Sequence, residues 1–167
     1  DGLGGELMRL LYGHDAAVSK FVSDLIPQVR EHGFGECRAI GVLNADGLLI
    51  GGMVFHHYWP EAGTIEFSGA ALTPKWLTPH ILDRMFSYAF DIAGVQLLIT
   101  RNSGTNKRLH RQLAAYGFER FDIPRMFGRD EDGVFWTLTE EAFRAGRFRV
   151  RQADGGSDFQ AKSSHAA

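Results

Sequence analysis

The chain has 167 residues, 44% of them hydrophobic, which is enough to build one sizeable core and hardly two. A net charge of −2 lacks the basic excess of a general nucleic-acid binder, so no nucleic-acid partner is expected. A single cysteine, Cys37, excludes both an intrachain disulfide and a thiolate zinc set, and no apolar run approaches the roughly 20 residues of a bilayer span. A reducing, cytoplasmic setting without a membrane partner is therefore expected, since the first residues also lack a charged start followed by an apolar stretch.

In chain order, Val18, Phe21, Val22, Leu25, Ile26 and Val29 recur at helical spacing. They predict an amphipathic helix from residue 15 to about 31, kinked or split by Pro27. Arg38 to Leu43 and Leu48 to His57 read as two strands joined by Asn44-Ala45-Asp46-Gly47, whose Asp-Gly pair signals a hairpin. Gly51-Gly52 inside the second strand marks a bulge or the close approach of another backbone, the bulge being the simpler reading. Thr64 to Ala70 is a third strand. A helix opened by Thr78-Pro79 follows, with Ile81, Leu82, Met85, Phe86, Ala89, Phe90 and Ala93 on one face and Gly94 as its left-handed cap. Val95 to Thr100 returns as a buried strand parallel to the third, so the sheet is mixed. A helix then runs from Asn106 to Tyr116-Gly117-Phe118, and Phe118 to Ile123 and Val134 to Leu138 add two strands around a polar turn at Asp130 to Gly133. From about Arg149 the chain turns polar and small. Residues 149–167 are expected to form a disordered tail, or one packed on a partner, beyond a folded domain of residues 1–148.

The strand-helix-strand-helix unit from Thr64 to Phe118 can bring an anion to the exposed amides of its first helix, where the dipole also favours negative charge. Several segments of this chain resemble the GNAT superfamily of acyl-CoA-dependent N-acyltransferases. They are Leu10-Leu11-Tyr12-Gly13-His14-Asp15, the stretch from Ala70 to Thr78, Tyr88-Ala89-Phe90, and Asn106 spaced from Gly117-Phe118. Within that superfamily the pattern is most similar to the branch that acetylates ribosomal-protein N-termini and to small GNAT-like proteins of phages and prophages. The resemblance implies an α/β GNAT fold, a twisted mixed sheet flanked by helices, with a V-shaped opening between the Thr64 and Val95 strands. It also implies acetyl-CoA as co-substrate, a primary-amine acceptor, and dimerisation as a family expectation.

By the same resemblance, Ala70, Ala71 and Leu72 form the strand that pairs with pantetheine. Lys75, Trp76, Leu77 and Thr78 occupy the pyrophosphate loop, and Asn106 stands where the family's asparagine touches the pantetheine arm or orders the adjoining loop. Simple N-capping explains Asn106 equally well. The family loop carries Arg/Gln-x-x-Gly-x-Gly/Ala, whereas Lys75-Trp76-Leu77-Thr78-Pro79-His80 contains no glycine, and Thr78 would spend helix amides on its own hydroxyl. The family's proton-donor positions fall on Leu109 and Leu113, while Tyr116 reads as a packing residue.

An amine nucleophile must lose a proton. Glu66 is the candidate general base, because alternation puts it with Ser68 opposite Ile65 and Phe67; a solvated strand glutamate is the plainer alternative. His56 and His57, adjacent on a strand, are expected on opposite faces and unable to share a metal, so no metal is expected. Nothing around Cys37 suggests an acyl-enzyme. Arg101, Lys107, Arg108 and Arg111 form one basic group suited to a CoA phosphate, an acidic partner or solvent. Two functions fit. One is transfer of an acetyl group to an amine by direct attack, favoured by the strand end, Asn106 and Lys75. The other is a catalytically degenerate, phage-associated interaction module, favoured by the glycine-free loop, Leu109 and Leu113.

Overall fold

A computed structural model describes residues 7–146. The expected tail at 149–167 lies outside the described residues. One seven-stranded mixed sheet organises the chain, in the order β1-β2-β3-β4-β5-β7-β6. Its strands are β1 (Arg9–Leu11), β2 (Cys37–Leu43), β3 (Leu49–Trp59), β4 (Thr64–Ala71), β5 (Leu97–Ser103), β6 (Glu119–Gly128) and β7 (Glu131–Thr139). The helices are α1 (Asp15–Leu25), α2 (Pro79–Ser87), α3 (Lys107–Tyr116) and α4 (Glu140–Ala145), with a π-helical turn at Tyr88–Ile92 extending α2. The α/β class, the mixed sheet and the parallel β4–β5 pair agree with expectation. No helix among the described residues is long and apolar enough to cross a membrane.

Local chemistry explains most of these boundaries. The β2–β3 turn is closed by Asn44, whose Oδ1 accepts from the amides of Asp46 and Leu48 at 3.0 and 2.9 Å, with Gly47 at φ +79°. Thr78 Oγ1 accepts from Ile81 N at 3.2 Å and Pro79 occupies the first helical position, so α2 starts where predicted. Gly94 at φ +72° ends that segment.

Four expectations need correction. Helix α1 stops at Leu25 rather than near 31, because the residue before Pro27 is pushed out of the helical region and Ile26 is extended at φ −113°, ψ 107°. The bulge in β3 falls at Ile50, where the register steps from Val42↔Gly51 to Leu43↔Leu49. What the glycines admit is side chains: a Cβ on Gly51 would meet Ala71 Cβ at 2.7 Å and Trp76 Cε3 at 2.9 Å, and one on Gly52 would meet Val18 Cγ1 at 2.7 Å. Finally, β6 and β7 are longer than read and their turn shrinks to residues 129–130, because Gly128 still pairs with Glu131. The sequence reading omitted β1 and α4, the latter opened by Thr139 Oγ1 accepting from Ala142 N at 3.1 Å.

The sheet separates two apolar clusters. Phe67, Phe86, Tyr116, Phe118 and Leu98 pack with α2, α3 and α4 on one face, while Val18 and Val22 of α1 cover Ala39 and Val54 on the other. Each fully buried side chain of this size contributes about 1.5–3 kcal/mol.

Candidate active site

Strands β4 and β5 pair only at Thr64↔Leu97, Ile65↔Leu98 and Glu66↔Ile99. Beyond Glu66, β4 stays with β3 as far as Gly51↔Ala71, while β5 stays with β7 as far as Ser103↔Gly133. A gap therefore opens in mid-sheet, with Glu66 at its apex. Leu72 N donates to Ile50 O at 2.8 Å, continuing the register of Gly52↔Ala70. Antiparallel alternation then turns the main-chain groups of Ala70 and Leu72 toward β3 and those of Phe67, Gly69 and Ala71 toward the gap. Of the three residues read as a pantetheine strand, Ala71 alone offers its backbone there, and the 66% exposed Leu72 projects its side chain outward.

The loop after β4 is largely self-satisfied. Trp76 is only 7% exposed, and its indole lies over Gly51 and Gly69, where a Cβ would meet Cη2 at 3.1 Å. Leu77 O accepts from Gln112 Nε2 at 3.3 Å, and Thr78 occupies the Ile81 amide. Lys75 is exposed. Asn106 Oδ1 accepts from Leu109 N at 3.4 Å, so here it caps α3. Leu113 and Tyr116 are buried in the core, with the Tyr116 hydroxyl donating to Asp83 Oδ1 at 3.2 Å.

At the apex, alternation places Glu66 as read, and its side chain is 13% exposed. Arg101 Nε donates to Oε1 at 2.6 Å and Arg101 Nη2 to Oε2 at 3.3 Å. His57 Nδ1 lies 2.9 Å from Oε2 and 3.0 Å from His56 Nδ1, while His56 Nε2 lies 2.9 Å from Ser68 Oγ. One proton arrangement satisfies every contact: His57 Nδ1–H is shared between Glu66 and His56 Nδ1, and His56 Nε2–H donates to Ser68. Burial lowers the His56 pKa to about 4, with Glu66 opposing that shift, so the ring is neutral. Phe34, its ring 5.0 Å away, packs against His56.

This cluster overturns the reading of the two histidines. His56 pairs directly with Glu66 across β3 and β4, the register breaks immediately after it, and His57 adopts φ +50°, which swings its ring to the His56 side. Arg101 likewise leaves the basic group assigned to α3 and reaches across to β4. No local signal marks either event. The pairing Glu66↔Ile99 would have found Arg101, two residues farther along the same face of β5, but that register belongs to the fold.

Two other features bound the chemistry. Cys37 is half-buried and burial raises its thiol pKa, the wrong direction for a nucleophilic thiolate. A cleft of about 590 Å³, lined by Phe34, Cys37, Arg38, Phe55 and Tyr88 among others, shares His57 with the Glu66 cluster.

No protein-family model and no curated protein sequence matches the chain. Solved structures do. The spermidine/spermine N-acetyltransferase SpeG from Vibrio cholerae, in complex with manganese ions, superposes with TM-score 0.67 at 15% identity, covering 83% of this chain and 95% of that one. A chimera of the Vibrio cholerae SpeG spermidine N-acetyltransferase with hSSAT gives 0.66 at 14%, covering 82% and 98%. A protein of Acinetobacter baylyi assigned as an acetyltransferase gives 0.65 at 16%, covering 83% and 94%. Likeness at these identities establishes architecture, and the chain accordingly has the mixed α/β fold of the GNAT acetyltransferases.

Proposed function

We propose that this chain is an N-acetyltransferase that moves an acetyl group from acetyl-CoA to a primary amine, on a protein N-terminus, a lysine or a small molecule, by direct attack. The observation that carries this reading is the gap past Glu66↔Ile99, with a carboxylate at its apex and the main-chain groups of Phe67, Gly69 and Ala71 along one wall. Those groups suit the amides of a pantetheine arm. The polyamine acetyltransferases among the structural neighbours make a small amine a sensible first acceptor.

In this scheme the amine nitrogen bonds to the thioester carbonyl carbon, the C–S bond breaks, and the CoA sulfur leaves as thiolate. The proton lost by the amine passes to Glu66, which Arg101 orients and which His57, 63% exposed, links to solvent. Main-chain N–H groups facing the gap polarise the carbonyl. Calorimetric titration with acetyl-CoA and CoA, on protein shown to carry no co-purified CoA, comes first; micromolar binding, about −8 kcal/mol, is expected. Thiol release over a panel of amines follows. Glu66→Gln is expected to lower turnover by about 10²-fold with acetyl-CoA affinity little changed, and unchanged turnover removes Glu66 from the mechanism.

A second reading, a GNAT-fold interaction module of the phage-associated kind, is favoured by the packing of Trp76 over Gly51 and Gly69 and by Thr78 capping its own helix. Absence of binding at millimolar acetyl-CoA by folded protein selects this reading.

A further inference from the structure

We propose that His56, His57 and Glu66 form a binding site for one borderline divalent transition ion, with zinc as the type. The inference goes beyond the acetyltransferase reading and does not depend on it. The three residues bring one ligand atom each within 4.8 Å of one another. Two separations are short: 3.0 Å between the Nδ1 atoms of His56 and His57, and 2.9 Å between His57 Nδ1 and Glu66 Oε2. A tetrahedral ion with bonds of about 2.0–2.1 Å holds its ligands roughly 3.3 Å apart, so these contacts need open by only a few tenths of an ångström. Two imidazoles and one carboxylate, with a position left for water, are a donor set that zinc accepts.

The surroundings aim the ligands inward. Ser68 Oγ, 2.9 Å from His56 Nε2, takes that ring's hydrogen and leaves the Nδ1 lone pair facing the cluster. Arg101 grips Glu66 through Oε1 at 2.6 Å, leaving Oε2, with its longer 3.3 Å contact, to the ion. His57 adopts φ +50°, which an L-residue in a strand seldom adopts, and that turn is what converts opposed rings into neighbours. Its side chain is 63% exposed, so ions reach the cluster from solvent. To ligate, His57 moves its Nδ1 proton to Nε2, a tautomer change without net proton loss. The Arg101 guanidinium opposes a second cation nearby, which holds affinity below that of closed structural zinc sites.

The test uses the full chain without an affinity tag, stripped with chelator and titrated with Co²⁺ while visible ligand-field absorption is recorded. One equivalent of four- or five-coordinate cobalt is expected, displaced by one equivalent of Zn²⁺. His57→Asn, chosen because asparagine tolerates positive φ, and Glu66→Gln are each expected to weaken binding by about 100-fold or more, and Ser68→Ala by about tenfold. His14→Asn, which removes a histidine outside the three-residue cluster, is expected to change nothing. Circular dichroism in chelator checks that each variant is folded. No ligand-field bands, or bands that persist in folded His57→Asn, overturn the site. Cobalt bands in a protein that does not bind acetyl-CoA leave the metal site standing and overturn the acetyltransferase reading instead.

Discussion

On the α2 side of β4, Ile65 and Phe67 are buried, and Phe67 packs 5.2 Å from Phe86 and 6.0 Å from Phe118. On the α1 side of the same strand, Glu66 and Ser68 are tied to Arg101, His57 and His56 by contacts of 2.6 to 3.3 Å. The first face is held by apolar burial, which has no direction and depends on filled volume. The second is held by directional bonds, whose strength falls when one atom moves. One strand thus carries apolar packing on one face and the proposed chemistry on the other.

The largest expected effect breaks the apolar face. Phe86, fully buried and in ring contact with Phe67, Tyr116 and Phe118, should cost about 3–5 kcal/mol when changed to alanine, read from urea denaturation midpoints at constant slope. The polar face should show itself through pH. His56 titrates near 4 in the folded chain against an ordinary 6.5, so the unfolded chain takes up its proton first as pH falls. The stability due to the neutral buried ring is therefore complete above pH 6.5 and lost progressively down to about 4, up to about 3 kcal/mol in chelator-treated protein. His56→Asn should flatten that slope while leaving the Phe86 cluster intact.

Smaller effects sharpen the contrast at the end of β4. Gly51→Ala places a Cβ 2.7 Å from Ala71 Cβ and 2.9 Å from Trp76 Cε3, so Trp76 must shift. A loss of about 1–3 kcal/mol and a change in tryptophan emission are expected, and silence in both would mean that the loop is loosely packed. Thr78→Ala removes the α2 cap at a cost of about 1 kcal/mol. Because it releases the Ile81 amide, acetyl-CoA affinity should hold or rise; a fall would assign Thr78 to the ligand.

Patterns with short sequence range were legible. The Asp46-Gly47 hairpin, the Thr78-Pro79 start, the Gly94 cap, the end of α3 at Tyr116-Gly117 and the alternation that separates Glu66 from Phe67 depend on neighbours within a few residues, and all appear as read. Where range lengthened, reading failed. The bulge slipped to Ile50, and the β6–β7 turn tightened because ladders on both sides of β7 extended it, whereas α1 ends at Leu25 on the local signal of Pro27.

The sequence by itself determined the order of the elements from α1 to β7, the buried faces of β4 and α2, and the face of β4 on which Glu66 stands, because propensity, periodicity and capping act along the chain. Only the tertiary structure decided what surrounds Glu66. Arg101 is 35 residues away and Ser68 meets His56 across 12, contacts created by strand register. His57 joins them through a left-handed backbone turn at a register break, and no residue type along the chain announces it. The same limit applies to Trp76, whose place over two glycines is set by packing between strands that have no local relation to it.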